Sequence, residues 1–486
     1  MAGIIKKKAV LTLVELPPRT FGKLSGGKAE DAYSMCRFPA RAIPLLHSIL
    51  LKEGYENVRS INPALSNKTG CLNSGEMERI IASDFLLLSA ITRTIQQTEE
   101  LALQYKEHNP GGKVIIGGPH ASYLPEECLE WADVVVRKEG DKTLPRLLRA
   151  FEENGAPYGV RGISYRKDGQ TVHEEDVEPL TLEEFSNLPI PYYDETTLNH
   201  MNLRPISTSR GCPFKCDYCT VWQLYGTRYR RRSNESIIRE VEDAQHNPSR
   251  FIFFIDDNFS GNPEETKELL RMMIKRGLNK KPFLSQLSIY AAFDADLLYL
   301  LKKAGGYSVF LGVESISDET LISLNKKVDV RKNMEAVKLF RKAGLWVNAM
   351  MMIGGDGDTE ESLKETVRWA RDNLDSVQYF TPTPLPGTVF AENLKSENRI
   401  LTKEYYLYDG QHVVIKPKNF TPYRLQKLIF DMYREFYSVR RILWKLIGSV
   451  HPWKKLAIYA FATIALKATV KNPQTRAYVR RLKAQS

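Results

Sequence analysis

Cysteine is scarce in this chain, with six residues among 486. They fall into no pattern of paired bridges, which excludes a disulfide-stapled secreted scaffold and predicts a reducing compartment. Long apolar runs are also missing. The most apolar stretch of the tail, Trp453 to Lys467, has about a dozen apolar positions, too few to span a bilayer. The first residues, Met1-Ala-Gly-Ile-Ile-Lys-Lys-Lys, lack the apolar core and cleavage site of a signal peptide. A cytoplasmic protein is the expectation. Acid is absent from the C-terminal end: between Phe436 and Ser486 there are eleven Lys or Arg and no Asp or Glu. That equals the whole net charge of +11, so residues 1–435 are neutral. The body has no electrostatic reason to bind nucleic acid. The tail, with Trp444 and Trp453 between its bases, is suited to the inner face of a membrane, or to docking on the protein with a solvated basic end.

What the chain does have is three of its cysteines in one loop: Arg210-Gly211-Cys212-Pro213-Phe214-Lys215-Cys216-Asp217-Tyr218-Cys219. Thiolates spaced Cys-x3-Cys-x2-Cys can hold three irons of a [4Fe-4S] cluster and leave the fourth open to a substrate. Structural zinc is the other common use of close cysteines, but it needs a fourth ligand. His200 is the nearest histidine, and no second Cys-x2-Cys exists.

The pattern around this loop divides the chain. Residues 1–155 alternate apolar runs (8–14, 58–61, 84–89, 113–116, 133–136) with helical stretches such as 40–52 and 93–107, as a doubly wound parallel sheet does. Ligands on such sheets bind beyond the carboxyl ends of the strands. Residues 156–200 read as a linker, ending in Leu188-Pro-Ile-Pro-Tyr192. Residues 201–388 read as six strand–helix units, with strands near 206–209, 251–256, 287–293, 307–314, 346–353 and 376–381. Repeated βα units predict a parallel barrel or part of one, with its site at the strand ends. The cysteine loop follows the first strand. Residues 389–486 read as a C-terminal extension with a helical stripe, Leu425, Leu428, Ile429, Met432, Phe436, Val439, Leu443 and Leu446, and the basic amphipathic tail. His412 is a lone histidine, more expected in packing than in ligation.

Cys212, Cys216 and Cys219, with Tyr218 before the last, resemble the signature of the radical S-adenosylmethionine (radical SAM) superfamily. The resemblance implies a partial (β/α)6 barrel. In that family the open iron chelates S-adenosylmethionine (SAM), and an electron from the cluster cleaves it to a 5'-deoxyadenosyl radical. It further implies SAM contacts at Tyr218, Asp256, Asp257, Glu314, Gly354 and Gly355. Capping of the next helix is the competing use of Asp257. An electron donor such as flavodoxin or ferredoxin is implied as a partner.

The first region resembles the cobalamin-binding domain that many radical SAM enzymes carry. Ser89, Thr92, Gly117, Gly118, Glu139 and Gly140 are the implied contacts. The Asp-x-His-x-x-Gly that ligates cobalt in such domains is missing: its place reads Glu15-Leu-Pro-Pro-Arg19-Thr-Phe-Gly22. The lower axial ligand is therefore not a histidine of this loop, and an empty, vestigial domain is the alternative. With cobalamin, the implied reaction is methylation of an unactivated carbon of a small or lipid-like substrate. The alternatives are radical cyclisation, C–C coupling or rearrangement without methyl transfer; an RNA methylthiotransferase, whose second cluster would have only Cys36, Cys71 and Cys128 to draw on; and a cobalamin- or redox-sensing module.

Overall fold

A computed structural model describes residues 8–18, 37–66, 70–438, 440–442 and 452–485. Arg19–Gly22, Cys36, Val439, Leu443, Trp444 and Leu446 lie outside the described residues. The chain forms two compact units. The first is built mainly from Phe38–Pro213 and Thr220–Ser249, with the strand near residue 11; the second from Phe214–Cys219 and residues 250–485.

The first unit holds a seven-stranded sheet. Its strands are β1 (Leu11–Glu15), β2 (Val58–Ile61), β3 (Phe85–Ser89), β4 (Lys113–Gly117), β5 (Val134–Val136), β6 (Ile163–Lys167) and β7 (Gln170–His173), in the order β2-β1-β3-β4-β5-β6-β7. The runs Leu86-Leu-Leu, Val114-Ile-Ile and Val134-Val-Val are buried on both faces, as parallel strands between helix layers require. Helices Ala42–Lys52, Ile95–His108 and Gly140–Asn154 alternate with these strands. The sheet does not stop at residue 155. Part of the expected linker forms β6 and β7, antiparallel to their neighbours. Asp168-Gly169 joins them with both φ values positive (50° and 78°), the tight turn that fits the twist of a two-stranded hairpin.

Strand β8 (Leu203–Ile206) leads into the cysteine loop. In the loop's first part, β9 (Ser209–Arg210) pairs antiparallel with β10 (Arg230–Arg231).

In the second unit β11 (Phe251–Phe254), β12 (Phe283–Leu287), β13 (Gly306–Glu314), β14 (Trp346–Met352) and β15 (Ser376–Phe380) run parallel in chain order. Helices Pro263–Lys275, Ala295–Lys303, Val330–Lys342 and Glu360–Asn373 alternate with them. Counted along the chain with β8, these are six strand–helix units. The third strand corrects the expectation of 287–293. The alternation Phe283-Leu-Ser-Gln-Leu287 buries one face as a strand, whereas Ile289–Phe293 is a 3-10 turn that Ser288 caps through the Tyr290 amide.

The C-terminal stripe forms the helix Pro422–Phe436, whose Leu425, Ile429 and Phe436 are buried. Helices Pro452–Lys471 and Pro473–Ala484 follow. They dock on the protein: Tyr459 OH donates to the Asp375 carbonyl at 2.8 Å, and Tyr478 OH to that of Val413 at 2.6 Å. Lys467, Lys471, Arg476, Arg480 and Lys483 face solvent. Fully buried His412 meets Asp409 at 2.9 Å and Thr475 at 3.2 Å, so it staples the last helix rather than serving a ligand. No helix among the described residues is long and apolar enough to cross a membrane.

Candidate active site

The cysteine loop is held differently at its two ends. At its start, Arg210 is largely buried in the first unit and forms a two-pronged pair with Asp141 at 2.7 and 2.9 Å. Its Nη1 also meets Glu139 at 2.8 Å. Arg230, across the β9–β10 ribbon, donates to the same Glu139 with both of its terminal nitrogens, one at 3.1 Å. Burial works against the Arg210 charge, but Asp141 and Glu139 outweigh it and raise its pKa. Burial likewise works against the Asp141 charge, yet Arg210 holds its pKa below the ordinary value. Gly211, at φ 89°, cannot carry a side chain, since a Cβ would stand 2.7 Å from the Arg228 carbonyl.

The loop's second part belongs to the second unit. The Cys219 amide closes a turn on the Cys216 carbonyl at 3.1 Å. Asn325 Nδ2 donates to the Asp217 carboxylate at 2.9 Å, and the Asp217 carbonyl accepts from the Phe390 amide at 3.0 Å. Tyr218 OH donates to Glu314 Oε1 at 2.9 Å, and Lys326 Nζ reaches the same oxygen at 3.1 Å. Glu314 has φ 60° at an irregularity of the β13–β14 register. A non-glycine residue held there, at a strand's carboxyl end, marks a site whose surroundings over-determine it. Gly312 makes the room, because a Cβ on it would lie 2.6 Å from Glu314 Oε1 and 3.2 Å from Lys326 Nζ. Desolvation first, then the Glu314 and Cys216 charges, push the Tyr218 phenol well above its usual range. Burial disfavours the Lys326 ammonium, but Glu314 and the Cys216 and Cys219 sulfurs outweigh it and raise its pKa.

The predicted carboxylates lie at neighbouring strand ends. Asp256 is buried just past β11. Asp257 reaches the surface, yet its carboxyl is raised to about 7, by desolvation and then by the Asp256 charge. Gly354 and Gly355 have another use here. Their amides donate to Asp358 Oδ2 at 2.8 and 3.1 Å. A Cβ on Gly354 would enter Leu425, and one on Gly355 would stand 2.9 Å from Thr320 Cγ2. Both glycines let protein pack on protein.

In the first unit, the sheet order reverses between β1 and β3, the place where open α/β sheets leave a crevice. Glu15, Ser89 and Gly117 are side-by-side register neighbours at those carboxyl ends. Glu15 was not among the expected site residues. It accepts the Ala40 amide at 2.9 Å and the Asn62 amide group at 3.1 Å, and burial raises its pKa to about 7. Gly118, at φ 104°, packs directly on the Ala90 backbone, which leaves no space for a Cβ. Buried Thr92 meets fully buried His120 at 3.3 Å. Gly140 opens the helix Gly140–Asn154.

Cys212, Cys216 and Cys219 are thiols rather than disulfides, each partly exposed. This donor set suits a cluster that takes one thiolate per iron. Among the described residues, no three His, Cys, Asp or Glu side chains are gathered as the ligands of a single ion would be. Cys71 is exposed, and Cys128 is buried with its thiol pushed up to about 12 by desolvation, which disfavours the thiolate that a cluster binds.

The profile of the Radical SAM superfamily matches residues 206–370, and that of the B12 binding domain residues 72–148. An uncharacterised methyltransferase of Pyrococcus horikoshii is 30% identical over 379 residues, 76% of this chain and 82% of that protein. The chain belongs to the radical SAM superfamily. It is an enzyme of the group that carries a B12-binding domain, and its cofactors are SAM, a [4Fe-4S] cluster and cobalamin. An anaerobic magnesium-protoporphyrin IX monomethyl ester cyclase of Cereibacter sphaeroides is 28% identical over 448 residues, covering 88% of this chain and 70% of the relative. A hopanoid C-3 methylase of Methylococcus capsulatus is 29% identical over 363 residues, covering 72% and 66%. The fold is that of the cobalamin-dependent radical SAM enzyme OxsB, solved with aqua-cobalamin and SAM bound, at a TM-score of 0.70 and 17% identity over 99% of this chain and 75% of that one. Sequence reading missed Asn325 and Asp141, because their pairings with Asp217 and Arg210 join residues 108 and 69 positions apart, and it missed Lys326, which reaches Glu314 from 12 positions on, beyond any local spacing rule.

Proposed function

We propose that this enzyme methylates an unactivated carbon of a small or lipid-like substrate. The observation that carries the reading is the union, in one chain, of a B12-binding domain and a three-cysteine radical SAM loop. When bound, the cluster supplies the electron that cleaves SAM, and cobalamin carries the methyl group. The residues do the rest. Cys212, Cys216 and Cys219 hold the cluster. Tyr218, Asp256, Asp257 and Glu314 would serve the ammonium and hydroxyl groups of SAM, which carboxylates and a phenol suit as hydrogen-bond partners. Gly354 and Gly355 shape the neighbouring wall through the Asp358 brace. Ser89, Thr92, Gly117 and Gly118 line the cobalamin crevice. Residues 139–140 would offer cobalamin backbone only, because the Glu139 side chain is committed to Arg210 and Arg230. No histidine of residues 15–22 serves cobalt.

The hopanoid and bacteriochlorophyllide methyltransferases among the relatives support an apolar, polycyclic substrate. Flavodoxin or ferredoxin supplies the electron. The solvent-facing bases of the last two helices suit the inner face of a membrane, which sedimentation with anionic liposomes tests. A second reading, ring closure without methyl transfer, is favoured by the cyclase relative that spans 88% of this chain. Product analysis separates the two: methyl transfer yields S-adenosylhomocysteine together with 5'-deoxyadenosine, and product formed without S-adenosylhomocysteine would sink the first reading.

The Asp257 carboxyl gives a pH test of the SAM site. Below its raised value of about 7 it takes up a proton and loses its attraction for an ammonium. SAM affinity of the cluster-loaded enzyme is expected to fall with pH below 7, by at most about tenfold per unit. Asp257→Asn is expected to weaken binding at pH 8 and to flatten that dependence. Calorimetry between pH 6 and 8 reads it; the same profile in both proteins would remove Asp257 from the site.

A further inference from the structure

Arg210 stands two residues before Cys212, while Glu139 and Asp141 lie about 70 positions away, at the junction of the last parallel strand and the helix Gly140–Asn154. Those carboxylates fall inside the stretch that matches the B12-binding domain. Asp141 grips Arg210 in the two-pronged geometry that fixes orientation as well as distance. Glu139 takes both Arg210 and Arg230, so one carboxylate pins both strands of the ribbon that launches the cysteine loop. The Phe185 ring lies 4.9 Å from the Arg210 guanidinium. The side chains of all four charged residues are at most 15% exposed. Buried, fully engaged charge of this kind is rigid, and it places two cationic groups and two carboxylates next to a cluster ligand.

We propose that Glu139 and Asp141 of the B12-binding domain are positioning residues for the iron–sulfur cluster, acting on Cys212 through Arg210. They touch neither iron nor SAM. They hold the backbone at Arg210-Gly211 in the one path that presents the Cys212 sulfur. Outer-shell partners of metal ligands typically carry about 10-fold to 100-fold in metal affinity. Loss of the Asp141 charge is therefore expected to weaken cluster retention by about 10-fold and to change the cluster's electronic signature.

The test uses full-length protein, reconstituted anaerobically with iron and sulfide. Two quantities are read: iron loss to a chelator, and the electron paramagnetic resonance spectrum of the dithionite-reduced cluster. Asp141→Asn is expected to speed iron loss about 10-fold and to shift the spectrum. Arg210→Gln should do the same, and Arg210→Lys, which keeps the charge, should recover part of both. Asp176→Asn, which removes an exposed partner of nearby Lys138, should leave both at the wild-type value. Glu139→Gln spares the two Asp141 bonds and decides the matter if Asp141→Asn does not fold. Folded Asp141→Asn or Glu139→Gln protein with wild-type spectrum and wild-type chelator resistance would overturn the assignment. Neither readout needs substrate or methyl transfer, so failure of the proposed reaction, seen as missing S-adenosylhomocysteine, is a separate outcome.

Discussion

Replacing any one of Cys212, Cys216 and Cys219 by alanine is expected to bring reductive cleavage of SAM to background. Each thiolate of a three-cysteine loop serves its own iron, so two cannot cover for a missing third. Of the other described cysteines, Cys71 is exposed, and the buried Cys128 thiol, pushed up to about 12, stays protonated at neutral pH. The fold should survive, because all three sulfurs are partly exposed and none fills the core. The measurement is 5'-deoxyadenosine formed from SAM by reduced, reconstituted protein, beside iron content and far-ultraviolet circular dichroism. Retained cleavage in a folded Cys212→Ala protein would refute the cluster assignment. A folded Cys71→Ala protein should cleave SAM as the wild type does.

Glu240→Ala is expected to destabilise the first unit by about 3–5 kcal/mol, the range for removing one member of a buried ion pair. The Glu240 side chain is fully buried between two arginines. Arg232 Nη1 donates to it at 2.6 Å, and Arg41 grips it with both terminal nitrogens, one at 3.0 Å. Arg41 directly precedes the helix Ala42–Lys52, and Glu240 lies in Asn234–His246, so the change strands two buried cations at the junction of two helices. Burial opposes the Glu240 charge, but Arg41 and Arg232 outweigh it and lower its pKa from 4.5 to about 2. The sign follows: the carboxylate's contribution is complete above about pH 4.5 and is lost as pH falls toward 2. Glu240→Gln should remove that acid limb and cost less than alanine, since it keeps an acceptor. Urea unfolding at pH 7 and pH 4 reads both effects. A Glu240→Ala midpoint within error of wild type would show that the pair adds nothing net.

Much of the fold was legible because its strands are apolar runs whose ends carry the chemistry. Phe85-Leu-Leu-Leu-Ser89 and Val114-Ile-Ile-Gly117 are buried on both faces, so periodicity and length alone bound them. Ser285 in Phe283–Leu287 interrupted such a run, and the apolar residues of Ile289–Phe293 imitated one; the difference rests on a serine cap that only local geometry reveals. The antiparallel edge β6–β7 went unread for a similar reason. Only Ile163, Ser164 and Tyr165 of its nine residues are buried, the rest are mostly polar, and its signal was a single Asp-Gly turn.

The sequence by itself determined the cluster chemistry, since three thiolates at that spacing need only eight consecutive residues, and a short loop has little freedom to separate them. It also determined the order of the α/β regions, the class of cofactor and the unusual basic end. Tertiary structure alone decided which charges hold the site. Glu139 and Asp141 reach Arg210 because folding sets the segment after β5 beside the β9–β10 ribbon, and Tyr218 and Lys326 converge on Glu314 at the carboxyl end of β13. It also set Gly354 against Leu425 and Gly355 against Thr320, and the tail's Tyr459 and Tyr478 against the protein. The physical reason is the same in each case. Local spacing sets covalent reach, while burial, pairing and the room left by a missing Cβ exist only once distant segments meet.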